Sequence, residues 1–349
     1  MQCSKSREVF LNGRARRDGG AFRTIRAVQA FHSDHFVLPL PEGHRFPMLK
    51  YRLLRERVAA ELPEIELTEA PAATDSELTL AHTPAYVEAV AAGHLTTAQQ
   101  REIGFPWSPA MVERSRRSVG ASIAAARAAL ATGFSVNLAG GTHHAHADRG
   151  SGFCVFNDVV VAARMMQAEQ QRLHQRPLAV AVIDLDVHQG NGTASLCRSD
   201  DTIYTLSMHG ENNFPFCKES SDLDVELPDG CGDAEYLAAL DVALDRMWCH
   251  HARASQDGSP GLIFFLAGAD PHEGDRLGRL KLTAGGLAER DRRVFAAALD
   301  RRVPVSVSMA GGYGRVIEDT VDLQVNTLRL ELEHWRAWQG LQPGSAGRD

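Results

Sequence analysis

L-A-V-A-V-I-D-L-D-V-H, residues 178–188, decides the fold. Leu178 to Ile183 is an unbroken apolar run, the pattern of a strand covered on both faces. It gives way at once to Asp184, Asp186 and His188. Four further runs follow the same plan: Phe134 to Leu138, Thr202 to Leu206, Leu262 to Leu266 and Val303 to Val307. Between the runs lie segments of helical character, including Asn157 to Leu173, Asp233 to His250 and Thr283 to Asp300. Upstream, Ile25 to Phe31 reads as a first strand, Pro47 to Ala60 as a helix and Ser108 to Ala131 as a long alanine-rich helix. This alternation predicts an α/β layered fold around a parallel sheet. No linker or repeat interrupts it, so one domain is expected over 26–338, between a basic tail at 1–25 and a loose tail at 339–349.

Each run ends in polar or glycine-rich residues: Gly140-Gly141-Thr142-His143-His144, Asp184 to His188, Ser207-Met208-His209-Gly210, Gly268-Ala269-Asp270 and Gly311-Gly312-Tyr313. Parallel sheets bind ligands outside the carboxyl ends of their strands, so these segments are expected on one rim. Asp186 and His188, two apart, share one side of an extended segment. With Asp270 they make a three-ligand set that leaves a fourth position open, as a catalytic zinc requires. Two imidazoles, His143 and His144, can divide base and acid duties, with Asp184 the carboxylate behind His143. Tyr313 follows two glycines, which allows its phenol to swing over the metal and donate to a developing oxyanion. His146 is read as a bystander.

The 349 residues are 44% hydrophobic and 23% charged, with a net charge of −7. That composition suits a soluble globular protein and gives no basic footprint for nucleic acid. The six cysteines form no C-x-x-C pair and are expected as reduced thiols. No apolar stretch approaches the roughly 20 residues of a membrane span. The basic first 26 residues lack the apolar core of a secretory signal, and a cytoplasmic location is expected.

G-G-T-H-H-A-H (140–146), G-S-G-F-C-V-F-N-D (150–158), D-L-D-V-H-Q-G-N-G-T (184–193), A-G-A-D-P-H-E-G-D (267–275) and G-G-Y-G (311–314) together resemble the zinc-dependent histone deacetylase family. The resemblance implies the arginase/deacetylase fold, a single-domain three-layer α/β/α arrangement with a mostly parallel sheet. It makes Asp186, His188 and Asp270 the zinc ligands, His143 and His144 the catalytic histidines, and Tyr313 the carbonyl-polarising tyrosine. It places Gly152 and Phe153 on one wall of an acyl-lysine tunnel and Leu277 at the rim, and leaves Phe214 and Phe216 open for the other wall. A structural potassium ion would use Asp184, Ser207 and the carbonyls of Asp186, His188 and Met208.

Asn191 departs from the Asp common in the family as partner of the second histidine. That residue, its surroundings and the segment 33–48 are similar to the class IV-like branch and its bacterial members. The implied activity is hydrolysis of N-acyl-lysine in proteins or peptides, with acetylpolyamines or other small N-acyl amines as the alternative substrate. The segment Ala92 to Pro109 is expected to shape the entrance. A dinuclear manganese ureohydrolase would want D-x-D at Asp270, where Pro271 and His272 follow. A silent acyl-binding module would have lost one of the site residues, and none is missing. The sequence does not indicate an oligomeric state.

Overall fold

The carboxyl ends of the central strands line up in one row, because every pairing in the sheet is parallel and in register. Asp184 is paired with Leu266, Leu266 with Ser308 and Ser308 with Asn137; on the other side Asp184 is paired with Ser207. The computed structural model describes residues 27–254 and 258–341. In chain order its elements are β1 (Val28–His32), α1 (Leu49–Glu61), β2 (Ile65–Glu69), α2 (Asp75–Leu78), α3 (Pro84–Ala92), α4 (Thr97–Ile103), α5 (Pro109–Thr132), β3 (Phe134–Asn137) and α6 (Asp158–His174). Then come β4 (Val180–Asp184), α7 (Asn191–Cys197), β5 (Ile203–Gly210), β6 (Leu223–Leu227), α8 (Asp233–Ala254), β7 (Leu262–Leu266), α9 (Ala284–Asp300), β8 (Val305–Ser308) and α10 (Ile317–Gly340). The strand order is β2-β1-β3-β8-β7-β4-β5-β6.

Alternate residues of the inner strands feed two cores. Ala181, Ile183, Ile263 and Phe265 pack with α1, α8, α9 and α10, whereas Val180, Val182, Leu262 and Phe264 pack with α3, α5 and α6. Both faces of the sheet are therefore covered, which is why its inner strands read as continuous apolar runs. The result is the expected single-domain three-layer α/β/α architecture, and the strand pairings described in its sheet are parallel.

The edge strands β2 (I-E-L-T-E) and β6 (L-D-V-E-L) mix apolar with polar and charged residues and do not appear among the apolar runs. Pairing with β6 carries β5 on through Ser207 to Gly210, so these residues lie inside a strand rather than after one. Helix α10 also escaped the sequence reading, although Val321, Val325, Leu328, Leu332 and Trp335 bury one face of it. The expected tail at 1–25 lies outside the described residues. So does the 339–349 tail beyond Leu341; before that, α10 continues through Gln339, whose side-chain amide donates to the Thr132 carbonyl. Five cysteines of the described region are free thiols. No described helix is long and apolar enough to cross a membrane.

Glu331 of α10 is completely buried, and neither carboxyl oxygen has a hydrogen-bond partner. Burial pushes its pKa up to about 8. The folded chain thus keeps this proton after the unfolded chain has released it near the ordinary glutamate value, so the group destabilises the fold progressively from about pH 4.5 to about 8. Glu331→Met should unfold at a higher urea concentration at pH 8.5, by roughly 2–4 kcal/mol, with the gap narrowing as the pH approaches 5. A gap independent of pH would show that Glu331 is not buried as an acid.

Candidate active site

Beyond Asp184 the chain bends instead of staying extended, yet Asp186 and His188 still meet. His188 Nδ1 lies 2.9 Å from Asp186 Oδ1 and 3.3 Å from Asp270 Oδ2, and all three side chains are buried. Backbone donors fix the carboxylates: Gly311 N–H donates to Asp186 Oδ2 at 2.8 Å and Val187 N–H to Asp270 Oδ1 at 3.0 Å. Apart from that 3.3 Å approach to His188, Asp270 Oδ2 has no polar partner. Burial and the Asp186 charge both raise the Asp270 carboxyl. Burial opposes charge on His188, but the two carboxylates outweigh it and hold its pKa up.

The cluster demands positive charge, and a divalent cation answers that demand without a proton. Glycines leave the room: a Cβ on Gly311 would stand 1.8 Å from Asp270 Oδ2 and 2.5 Å from Asp186 Oδ2. The ligating atoms of the triad all lie within 4.8 Å of one another, and an N/O donor set with no thiolate fits zinc. A second His/Asp group, His32, Asp34 and His35, lies at the carboxyl end of β1. Its Asp34 is already matched by His32 Nδ1 and Arg55 Nε, each at 2.8 Å, so it reads as an ion-pair network.

His143 Nδ1 lies 2.6 Å from Asp184 Oδ2, and His144 Nδ1 lies 2.7 Å from Asn191 Oδ1. Burial works against charge on His143, but Asp184 and Asp186 outweigh it and push its pKa up to about 9. Burial and the neighbouring imidazoles of His143 and His188 push His144 well down, and the Asn191 contact offsets this only in part. Asn191 stands at the start of α7 rather than in a loop, and its Nδ2 is 3.2 Å from His146 Nε2. His146 is therefore no bystander: it meets the amide that faces His144.

Tyr313 lies against the same space, its ring centroid 6.4 Å from that of His188 and 6.0 Å from that of Phe153. Gly312 before it has φ 147°, a conformation that side-chain-bearing residues rarely adopt. Burial and the carboxylates of Asp186 and Asp270 hold its phenol well above the ordinary value, so it remains a proton donor.

Asp186, His188, His143, His144, Asn191 and Tyr313 open on a cavity of about 1080 Å³, lined also by Gly152, Phe153, Phe214, Phe216 and Leu277. Phe214 packs edge-on to His144 with ring centroids 4.9 Å apart, whereas Phe216 is 84% exposed at the outer margin. Phe214 is thus the inner wall. Phe153 takes φ 67°, unusual for a non-glycine, and its N–H donates to Ile103 at the end of α4. Arg101 to Phe105 line the cavity, so the entrance segment contains a helix as well as loop. Ser207 and Met208 lie on β5, with Ser207 level with Asp184.

Several buried residues that support the site had no role in the sequence reading. Asp158, at the start of α6, accepts from Gly141 N, Thr142 N and Ser122 Oγ, fixing the turn that carries the histidines. Asp275 accepts from Tyr313 N at 2.6 Å and from Leu277 N at 2.7 Å. Lys50 Nζ donates to the carbonyls of Ala310 and Gly312, and Arg290 Nη1 to those of Leu185 and Gly268. Asp158 and Asp275 each end a quoted motif; Lys50 and Arg290 carry no local signal.

Fold and site together define a three-layer α/β protein with a buried Asp-His-Asp centre at the strand ends. The histone deacetylase domain family matches residues 43–328, and the chain belongs to that family. It is 44% identical over 294 residues to an uncharacterized protein from Picosynechococcus, covering 83% of this chain and 93% of that one. It is 36% identical over 214 residues to histone deacetylase 2 of Arabidopsis thaliana, covering 59% of this chain and 52% of that protein. Among solved structures it shares the fold of the HDA15 HD domain, with a TM-score of 0.70 and 20% identity over 90% of this chain and 96% of that one. Family membership and the triad support a metal-dependent hydrolase of the deacetylase fold.

Gly311→Ala places a methyl group against both ligand carboxylates without backbone strain. The variant should fold but bind a divalent ion at least about tenfold more weakly than the parent, read by titration calorimetry after chelator treatment. Equal affinity would remove the ion from this triad.

Proposed function

We propose that the protein hydrolyses N-acyl-lysine side chains, with zinc as the ion held by Asp186, His188 and Asp270. One observation carries the reading: Asp186 and His188 of the buried triad, together with His143, His144 and Tyr313, face a single cavity. A cation in the triad supplies Lewis acidity to the acyl carbonyl and to a water molecule. The residues around it divide the remaining work. Tyr313, protonated, donates its phenol hydrogen to the carbonyl oxygen as negative charge grows there. His144, held neutral by burial, has a free Nε2 lone pair to take a proton from water while its Nδ1–H is held by Asn191. His143, kept charged beside Asp184, gives its Nε2 proton to the departing amine. Opposite pKa displacements in neighbouring groups are the usual mark of such a division. Gly152, Phe153 and Phe214 flank the lysyl chain and exclude water, and Leu277 meets the substrate at the rim.

A potassium ion between Asp184 and Ser207, with carbonyls of Asp186, His188 and Met208, would steady the triad loop from below. The Asn191 surroundings support placing the chain in the class IV-like bacterial branch.

The assay is hydrolysis of acetyl- and longer acyl-lysine peptides by the zinc-loaded protein. Tyr313→Phe should keep fold and metal and lower kcat by about 10² to 10³. An unchanged kcat would make Tyr313 a turn residue. Asn191→Asp adds a carboxylate beside His144 and raises its pKa, so the acidic limb of kcat/KM should move to higher pH. Superimposable profiles would separate Asn191 from the chemistry.

A further inference from the structure

The chain is acidic overall, yet the mouth of its cavity is ringed by five exposed arginines, Arg45, Arg101, Arg149, Arg276 and Arg279. Four of the segments that line the cavity bring them, and the Phe214 segment brings none. Arg45 precedes Phe46, Arg101 lies in the helix that ends beside Phe105, Arg149 precedes the Gly152-Phe153 turn, and Arg276 and Arg279 bracket Leu277. Glu102 and Glu219 are the acidic residues among the mouth lining. Arg149 is within 3.6 Å of Glu102, and Arg279 within 3.0 Å of Asp229. Arg276 instead donates to the Tyr313 carbonyl, and among the described residues no carboxylate pairs with Arg45, Arg101 or Arg276. The excess positive charge is thus left facing the approach to the site.

We propose that the substrate carries negative charge on the amine side of the scissile amide. This inference rests on the N-acyl amide hydrolase reading above. When an acylated amine threads the tunnel, what stays at the rim is the rest of the amine: the neighbours of an acyl-lysine, or the other end of a small molecule. Guanidinium groups pair with carboxylates through paired hydrogen bonds and steer anions towards a concave mouth. The same ring repels an acetylpolyamine or a lysine-rich tail. Carboxylates are the shared chemistry, supplied by Asp and Glu flanking an acyl-lysine or by a small N-acyl amino acid.

The test compares, on the metal-loaded protein, acetyl-lysine peptides with acidic, neutral and basic flanks, together with Nε-acetyl-lysine, N-acetylcadaverine and N8-acetylspermidine. Acidic flanks should raise kcat/KM about tenfold over basic ones, through KM, and the ratio should shrink in about 0.5 M salt. Arg45→Glu with Arg101→Glu should abolish or invert that preference, read as the ratio of kcat/KM for acidic over basic flanks within the variant itself. Preference for acidic peptides over Nε-acetyl-lysine identifies a protein substrate; the reverse order identifies a metabolite. Equal rates for all flanks, or N8-acetylspermidine as the best substrate, overturns the proposal. If nothing is hydrolysed, the hydrolase reading fails, and the charge preference is then decided by fluorescence anisotropy of the same labelled peptides. Tighter binding of the acidic peptide supports it and equal binding refutes it.

Discussion

Asp184, Leu266, Ser308 and Asn137 stand in one row because four parallel strands pair without a shift. Everything chemical in the protein depends on that register. A slip of one residue would turn Asp184 to the other face of the sheet and carry Asp186 and His188 out of line with Asp270. The apolar runs enforce the register, since alternate residues of β4 and β7 belong to two different cores. The chain reaches β4 from β3 by stepping over two positions that β7 and β8 later fill. The triad and Tyr313 therefore come from loops that are distant in sequence but emerge side by side.

Three buried carboxylates converge within this small space, and the rest of the site is organised around their charge. Asp184 is matched by His143; Asp186 and Asp270 share His188. Such a group is costly unless its charge is balanced, and the backbone N–H groups of Val187, His188 and Gly311 balance only part of it. The ligand loops cannot relax apart, because Arg290 ties Leu185 and Gly268 together from beneath and Lys50 holds the turn at Ala310 and Gly312. Lys50, bonded to carbonyls, and Arg290, bonded to two carbonyls and ion-paired with Asp291, thus fix the frame for triad carboxylates they do not touch. The strained φ values of Phe153 and Ala310, on either side of the cavity, show how tightly that frame constrains its wall.

Asn191 illustrates the difference between a side chain's identity and its setting. A carboxylate accepts hydrogen bonds at either oxygen, whereas an amide must be turned the right way round. Here the His146 ring stands at the amide end and His144 at the carbonyl end, so the orientation is set by the pair. Nothing in H-H-A-H marks His146 for that task, because the contact arises only when α7 brings Asn191 against the turn.

The inner strands, the long helices other than α10 and the Asp186-His188-Asp270 cluster were legible in the sequence because each leaves a local trace: a doubly buried strand is apolar throughout, and polar residues cluster where such a run stops. The edge strands β2 and β6 were not, since one open face gives them the alternation of many surface segments. The sequence by itself determined the layered class, the strands that form its centre and the residue types collected at their ends. Tertiary structure alone decided that Phe214 rather than Phe216 packs against His144 inside the cavity, that Asp158, Asp275, Lys50 and Arg290 hold the turns around it, and that five scattered arginines share one rim. Burial and hydrogen bonding between residues far apart in the chain leave no local periodicity, and only the closed sheet brings those partners within reach.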